Sequence, residues 1–205
     1  MSIKKLKGYY PTGETWLPIK VDENGKVVVT GISTGGGAEN RVTDTVTITN
    51  TTTETTVYSY TVPANKLSTN KMLRLTLVGD YLNNSGANRS LRLRIYLGDT
   101  LIFDDSGSVV SPYPDLRAWR LTLNLSNLGA VDSQFLSGFF NVSSASEALV
   151  GTGDFAGTVD DCTLTFCGSA SEDTTADKLF KVTLTFSAAN ENLTLKCYYA
   201  LLELI

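Results

Sequence analysis

At 205 residues, with 42% apolar and 19% charged side chains, the chain can bury a sizeable core and is too apolar to stay disordered. No apolar run approaches the ~18 residues of a membrane-spanning helix, and a formal charge of −4 argues against a surface built to neutralise phosphate backbones, so membrane insertion and binding to free nucleic acid are both set aside. The complete lack of histidine removes the commonest metal ligand and the side chain most used for proton transfer at neutral pH.

Residues 1–32 read as an extended N-terminal arm. Pro11 and Pro18 exclude a helix there, while Tyr9, Tyr10, Trp16, Leu17 and Ile19 offer apolar anchors without the period of a core strand. The opening MSIKKLKGYYPTGETW has a basic cluster with no apolar stretch behind it, unlike a secretory signal, so synthesis and assembly in the cytoplasm are expected. Residues 1–26 hold five Lys against Glu14, Asp22 and Glu23, which makes a basic leader in front of an acidic remainder. The piece WLPIKVDENGKVVVTGI predicts two short strands around Asn24-Gly25, a dipeptide that favours a tight hairpin turn. Residues 33–40, STGGGAEN, predict a linker with Gly35, Gly36 and Gly37 as its hinge, since three glycines in a row are costly to order.

From Arg41 to Ile205 the pattern is that of one β body. Leu73, Leu75 and Leu77 alternate with Arg74 and Thr76, and Leu91, Leu93, Ile95 and Leu97 alternate with Arg92 and Arg94. A period of two is the mark of a strand with one buried face. Strands are expected near 44–50, 55–62, 71–78, 90–97, 100–104, 117–126, 134–142, 159–167, 179–187 and 193–204, joined by polar loops such as those at 79–90 and 104–117. Helix is confined to a turn at 64–67 and a short piece near 144–149. So many antiparallel strands in one domain must stack or close to deal with their edges, and the predicted fold is a jelly-roll-like antiparallel β-sandwich. An immunoglobulin-type Greek key is the rival; it is weakened by the lack of a Cys–Trp–Cys spacing.

Reactive constellations are sparse. No G-x-S-x-G, P-loop or G-x-G-x-x-G segment occurs, and GTGDFAG at 151–157 shares only glycine content with such loops. The acidic pairs Asp104-Asp105, Asp160-Asp161 and Glu172-Asp173 read as turn residues, because neighbours on a strand face opposite ways and no D-x-D-x-D-G calcium loop is present. Without a CxxC or any histidine, Cys162, Cys167 and Cys197 cannot make a zinc site. They read as reduced thiols, with a bridge from Cys197 to one of the others as the alternative. Tyr58 and Tyr60, Tyr113, Trp119, Phe139 and Phe140, and Tyr198 and Tyr199 are the aromatic residues from which a sugar-stacking platform could be built, although filling the core is the commoner duty of strand aromatics. The expectation is no catalytic residue, no cofactor and no metal.

The stretch from Tyr60 to Gly98, with its YTVPAN lead, LRLTL strand, GDYLNNSG loop and LRLRIYLG strand, resembles virion structural proteins of tailed bacteriophages in which such a run opens a jelly-roll-like domain. The resemblance covers about a quarter of the chain. It implies a capsid decoration (cement) protein, a head-fibre base or a tail component, commonly a homotrimer, with the major capsid protein or another virion component as partner. The expected function is therefore non-enzymatic reinforcement of the head shell from the capsid exterior, anchored by Tyr9, Tyr10, Trp16, Leu17 and Ile19. The alternative is a receptor- or glycan-binding module of a tail or head fibre, recognising a host-surface glycan.

Overall fold

Fourteen strands and no helix make up the computed structural model, which describes residues 37–143 and 162–205 together with the strand backbone at 20–21 and 27–28. The chain divides into two compact units, Met1–Gly35 and Gly36–Ile205. In the first, β1 (Lys20–Val21) pairs antiparallel with β2 (Val27–Val28), Lys20 opposite Val28 and Val21 opposite Val27; the predicted turn at Asn24-Gly25 lies outside the described residues.

The second unit holds β3 (Gly37–Val42), β4 (Val46–Thr49), β5 (Thr55–Val62), β6 (Met72–Asn83), β7 (Arg89–Leu97), β8 (Thr100–Asp104), β9 (Ser108–Val110), β10 (Tyr113–Asn127), β11 (Gln134–Val142), β12 (Cys162–Ala170), β13 (Lys178–Phe186) and β14 (Leu193–Leu204). These form two antiparallel sheets. A seven-stranded sheet runs β12-β11-β10-β6-β14-β3, with β4 also on β14, and a five-stranded sheet runs β5-β13-β7-β8, with β9 also on β7. Setting aside β3, β9 and the β11–β12 extension leaves β4-β14-β6-β10 facing β5-β13-β7-β8. Four strands face four, the chain crossing between sheets at β4 to β5, β5 to β6 and β6 to β7, which is the double Greek key of a jelly roll.

The alternating leucines do what their period demands. Leu73, Leu75, Leu77, Leu91, Leu93, Ile95, Leu97, Leu121, Leu123 and Leu125 point into one core between the sheets, each no more than 1% exposed. Aromatic pairs span the gap: Tyr81 of β6 meets Phe186 of β13 with centroids 6.2 Å apart, and Phe103 of β8 stacks on Phe166 of β12 at 4.4 Å. Beside that stack β12 approaches β8 so closely that a Cβ on Gly168 would lie 2.2 Å from the Ile102 carbonyl oxygen. Only glycine fits there.

Three expectations are corrected. The linker predicted over 33–40 does not reach Asn40, because Gly37–Asn40 already belong to β3, where Leu204, Glu203 and Leu202 of β14 pair with Gly37, Ala38 and Asn40; Gly37 is thus a strand residue and not a hinge. A ladder rung needs only backbone groups, so a glycine can serve. The strand predicted to end at Val78 continues to Asn83, since β14 and β10 both go on pairing past Gly79, leaving a true loop only at 84–88. The loop predicted over 104–117 contains β9 and the start of β10. The predicted pieces at 144–149 and 151–157 lie outside the described residues, as do Tyr9, Tyr10, Trp16, Leu17, Ile19, Gly35 and Gly36.

Candidate contact surface

The candidate aromatic platform is dispersed by the fold. Tyr58 is 3% exposed, lies edge-on to Phe180 and donates its hydroxyl to Asn40 Oδ1 at 3.2 Å, with burial pushing the phenol above its ordinary range. Tyr60 packs against the same core. Trp119 is buried between Phe140 and β14, its indole N–H donating to the Lys196 carbonyl at 2.9 Å. Tyr199 lies beneath the Arg41 guanidinium, and the exposed Tyr198 donates to the Asp80 carboxylate. No two of these make a shared outer surface.

The acidic candidates are occupied. Arg92 grips Asp104 with two hydrogen bonds of 2.6 Å, and Arg94 reaches Asp104 at 3.3 Å and Glu54 at 2.6 Å. Glu54 also accepts from Tyr96 and Thr183, while Lys181 sits 4.2 Å over the Tyr96 ring. The Arg92 hydrogen bonds hold the Asp104 carboxyl below its usual range. Burial works to raise the Glu54 carboxyl, but Thr183, Tyr96 and Arg94 outweigh it, and the net direction is down. A carboxylate so held is a poor proton donor at neutral pH. Asp105 accepts from the Ser108 amide and hydroxyl, Glu172 takes Lys178 at 2.7 Å and Thr100 at 2.6 Å, and Asp173 closes a turn on Thr175. Asp160-Asp161 lies outside the described residues. Among the described residues no group of three or more His, Cys, Asp or Glu is arranged to hold a metal ion. Cys167 is an exposed and Cys197 a buried free thiol.

One end of the sandwich is bolted by buried amides. Gln134 donates to Asn127 Oδ1, Val131 O and Glu172 O, and accepts from the Glu172 amide at 2.8 Å. Asn127 donates to Thr174 Oγ1 and Ser68 O. Three loops meet there, so the network fixes the β5–β6, β10–β11 and β12–β13 connections at once.

The outer faces of the two sheets differ in chemistry. On the five-stranded sheet the charges Glu54, Arg92, Arg94 and Asp104 satisfy one another. On the seven-stranded sheet, β11 turns Phe135 and Phe139 outward, 40% and 42% exposed, because Gln134, Leu136, Phe140 and Val142 take the inward positions. The register places Phe135 between Ser126 of β10 and Ser169 of β12, and Phe139 between Thr122 and Thr165. The row between them runs Asn124, Ser137, Cys167. Sequence reading named Phe139 but passed over Phe135; the alternation Phe135, Ser137, Phe139 was the available signal, obscured by the polar Gln134 and the small Gly138 on the inward side.

No family model matches the chain, and no curated protein matches it. Among solved structures it is similar to the CBM2 module of the evolved Dit of Lactobacillus casei BL23 phage J-1, at 8% identity and a TM-score of 0.33, covering 71% of this chain and 67% of that one. It is also similar to a chain of the infectious bursal disease virus Gx strain, at 14% identity and a TM-score of 0.35. A third is the infectious bursal disease virus VP2 subviral particle, at 13% identity and a TM-score of 0.35. The last two alignments cover 98% of this chain and 40% of the viral chains, so the chain spans well under half of their length. Likeness at this level says nothing of what the chain binds.

Proposed function

We propose that the chain is a non-enzymatic structural protein of a tailed-phage virion, a capsid decoration protein that binds and reinforces the head shell as a homo-oligomer through residues 1–32. The observation that carries the reading is that the body fills its core from Ile48 to Leu202, among the described residues, while Met1–Gly35 forms a unit of its own. A body with its core so filled is a sturdy module, and the reading assigns the leader to a neighbour. The run from Tyr60 to Gly98, with its resemblance to phage virion proteins, supports the same reading.

In this reading Tyr9, Tyr10, Trp16, Leu17 and Ile19 are the anchors. An extended segment that adds a strand to a neighbour's sheet edge gains backbone hydrogen bonds and side-chain pockets together. The basic leader suits an acidic shell surface, the major capsid protein being the partner, and a trimer is the oligomer. The protein would be assembled in the host cytoplasm and end on the capsid exterior.

The test is a pair of variants, deletion of residues 1–32 and the full chain with Trp16→Ala and Leu17→Ala, mixed with particles that lack the protein. The reading expects an unchanged circular dichroism spectrum and lost particle occupancy, with native mass spectrometry of the full chain giving a trimer. Full occupancy by the deletion variant overturns it.

A further inference from the structure

The seven-stranded sheet carries on its outer face a pattern that repeats. Phe135 is flanked on both neighbouring strands by serine, Ser126 and Ser169, and Phe139 by threonine, Thr122 and Thr165. Thr122 Oγ1 is covered and has no hydrogen-bond partner, so the open hydroxyl beside Phe139 is that of the exposed Thr165, on the β12 side. Between the two aromatic rows stands Asn124, whose Oδ1 accepts from Arg74 Nε at 3.2 Å, which leaves the amide NH2 as a donor. None of Thr122, Asn124, Ser126, Phe135, Ser137, Phe139, Thr165, Cys167 or Ser169 is charged.

We infer that this face binds a neutral polysaccharide. Aromatic rings present a flat apolar surface that suits the C–H face of a sugar ring, and hydroxyls and an amide beside them suit its hydroxyl groups. Phe135 and Phe139 are four residues apart on one strand, about 14 Å at ~3.4 Å per residue. One monosaccharide cannot span that distance, so the ligand is a chain that sets one sugar over each ring. The nine residues of the patch carry no charge; Arg74, bonded to Asn124, and the exposed Arg120, the next outward residue of β10 after Thr122, border it, and the polyanion arm of the experiment tests them. A second copy of this chain is the lesser fit, because the core of a subunit interface is apolar whereas the residues directly opposite each ring are the hydroxyl-bearing Ser126, Ser169, Thr122 and Thr165. The inference is independent of whether the leader binds a shell: sugar and shell would be held by different parts of the chain.

The experiment is affinity electrophoresis of the full chain in native gels containing dextran, laminarin, galactomannan or yeast mannan, with alginate as the polyanionic control. The expected result is retardation by at least one neutral polymer and none by alginate. Phe135→Ala and Phe139→Ala should each weaken it roughly tenfold, the size of an effect from uncovering one ring. Ser137→Arg, which sets a bulky charge between the rings, should abolish it with the near-ultraviolet spectrum unchanged, and Leu179→Ala on the other sheet should leave it intact. Deletion of residues 1–32 should also leave it intact. Migration unchanged in all four neutral gels overturns the inference, as does equal retardation of a Phe135→Ala/Phe139→Ala double variant. Sedimentation showing that the double variant turns an oligomer into a monomer overturns it too, in favour of a subunit interface.

Discussion

Gly79→Ala is a substitution of one methyl group in the middle of a strand, and the structure makes its effect large. An ideal Cβ at Gly79 would lie 1.7 Å from the Lys196 carbonyl oxygen and 2.7 Å from Trp119 Nε1. No left-handed backbone is involved, so the objection is space alone. Forcing an atom into a packed site costs about 1–3 kcal/mol. If β6 and β14 separate to make room, Lys196 O loses the Trp119 indole donor, and a buried carbonyl left without its partner costs about 1–3 kcal/mol more. The sum, about 2–6 kcal/mol, is a large fraction of the ~5–15 kcal/mol by which a domain is stable, and it translates into a fall in Tm of order 10 °C for a chain of this length. Calorimetry on the wild type, Gly79→Ala, Trp119→Phe and the double variant measures both parts. The indole's share of the cost appears as a coupling between the two sites. A fall of less than about 2 °C for Gly79→Ala would refute the argument from close approach.

Three further outcomes are expected. Asp104 and Glu172 are held below the ordinary carboxylate values of 3.8 and 4.5 by Arg92 and Lys178, so their contribution to stability is complete above those values and lost as pH falls through the depressed ones; Tm should be flat down to about pH 5 and then fall, and an Asp104→Asn/Glu172→Gln variant with the same acid slope would contradict this. Gln134→Ala strips partners from the Glu172 amide and Asn127 Oδ1 together and should cost about 2–4 kcal/mol by urea unfolding, against less than ~0.5 kcal/mol for the exposed Glu191→Ala. Iodoacetamide on the native chain should modify Cys167 and spare Cys197 until denaturant is added, as peptide mass spectrometry will show; early labelling of Cys197 would contradict its burial in β14.

The sheets were legible wherever one face is buried and the other polar. Leu73 to Leu77 and Leu91 to Leu97 carry the period of two without interruption, and the strands stand there. What misled was local chemistry put to another use. Gly79, Asn83 and Asn84 read together as a loop, yet Gly79 is a strand residue made necessary by Trp119 and Lys196, which lie 40 and more positions away along the chain. Asn83 is buried, donating to Ala87 O and Val110 O. Arg92 and Arg94 were rightly read as facing out. Their partner Glu54 was invisible, since nothing in its own surroundings says which strand will pass beside it. Arg117 shows the limit most clearly: it occupies an inward position of β10, 2% exposed and 5.4 Å from the Tyr81 ring, where alternation alone would have asked for a leucine. The outward Phe135 and Phe139 needed the register of three strands before they became a surface.

The position of β14 has a consequence for synthesis. It follows β3, β4 and β6 in the chain, yet it lies inside the larger sheet, between β6 on one side and β3 and β4 on the other. Until it emerges, one edge of β6 lacks its partner and β3 and β4 have nothing to pair with. The larger sheet therefore stays open at that seam, and sticky, until β14 has been made, although three of its strands precede β14 by most of the body's length.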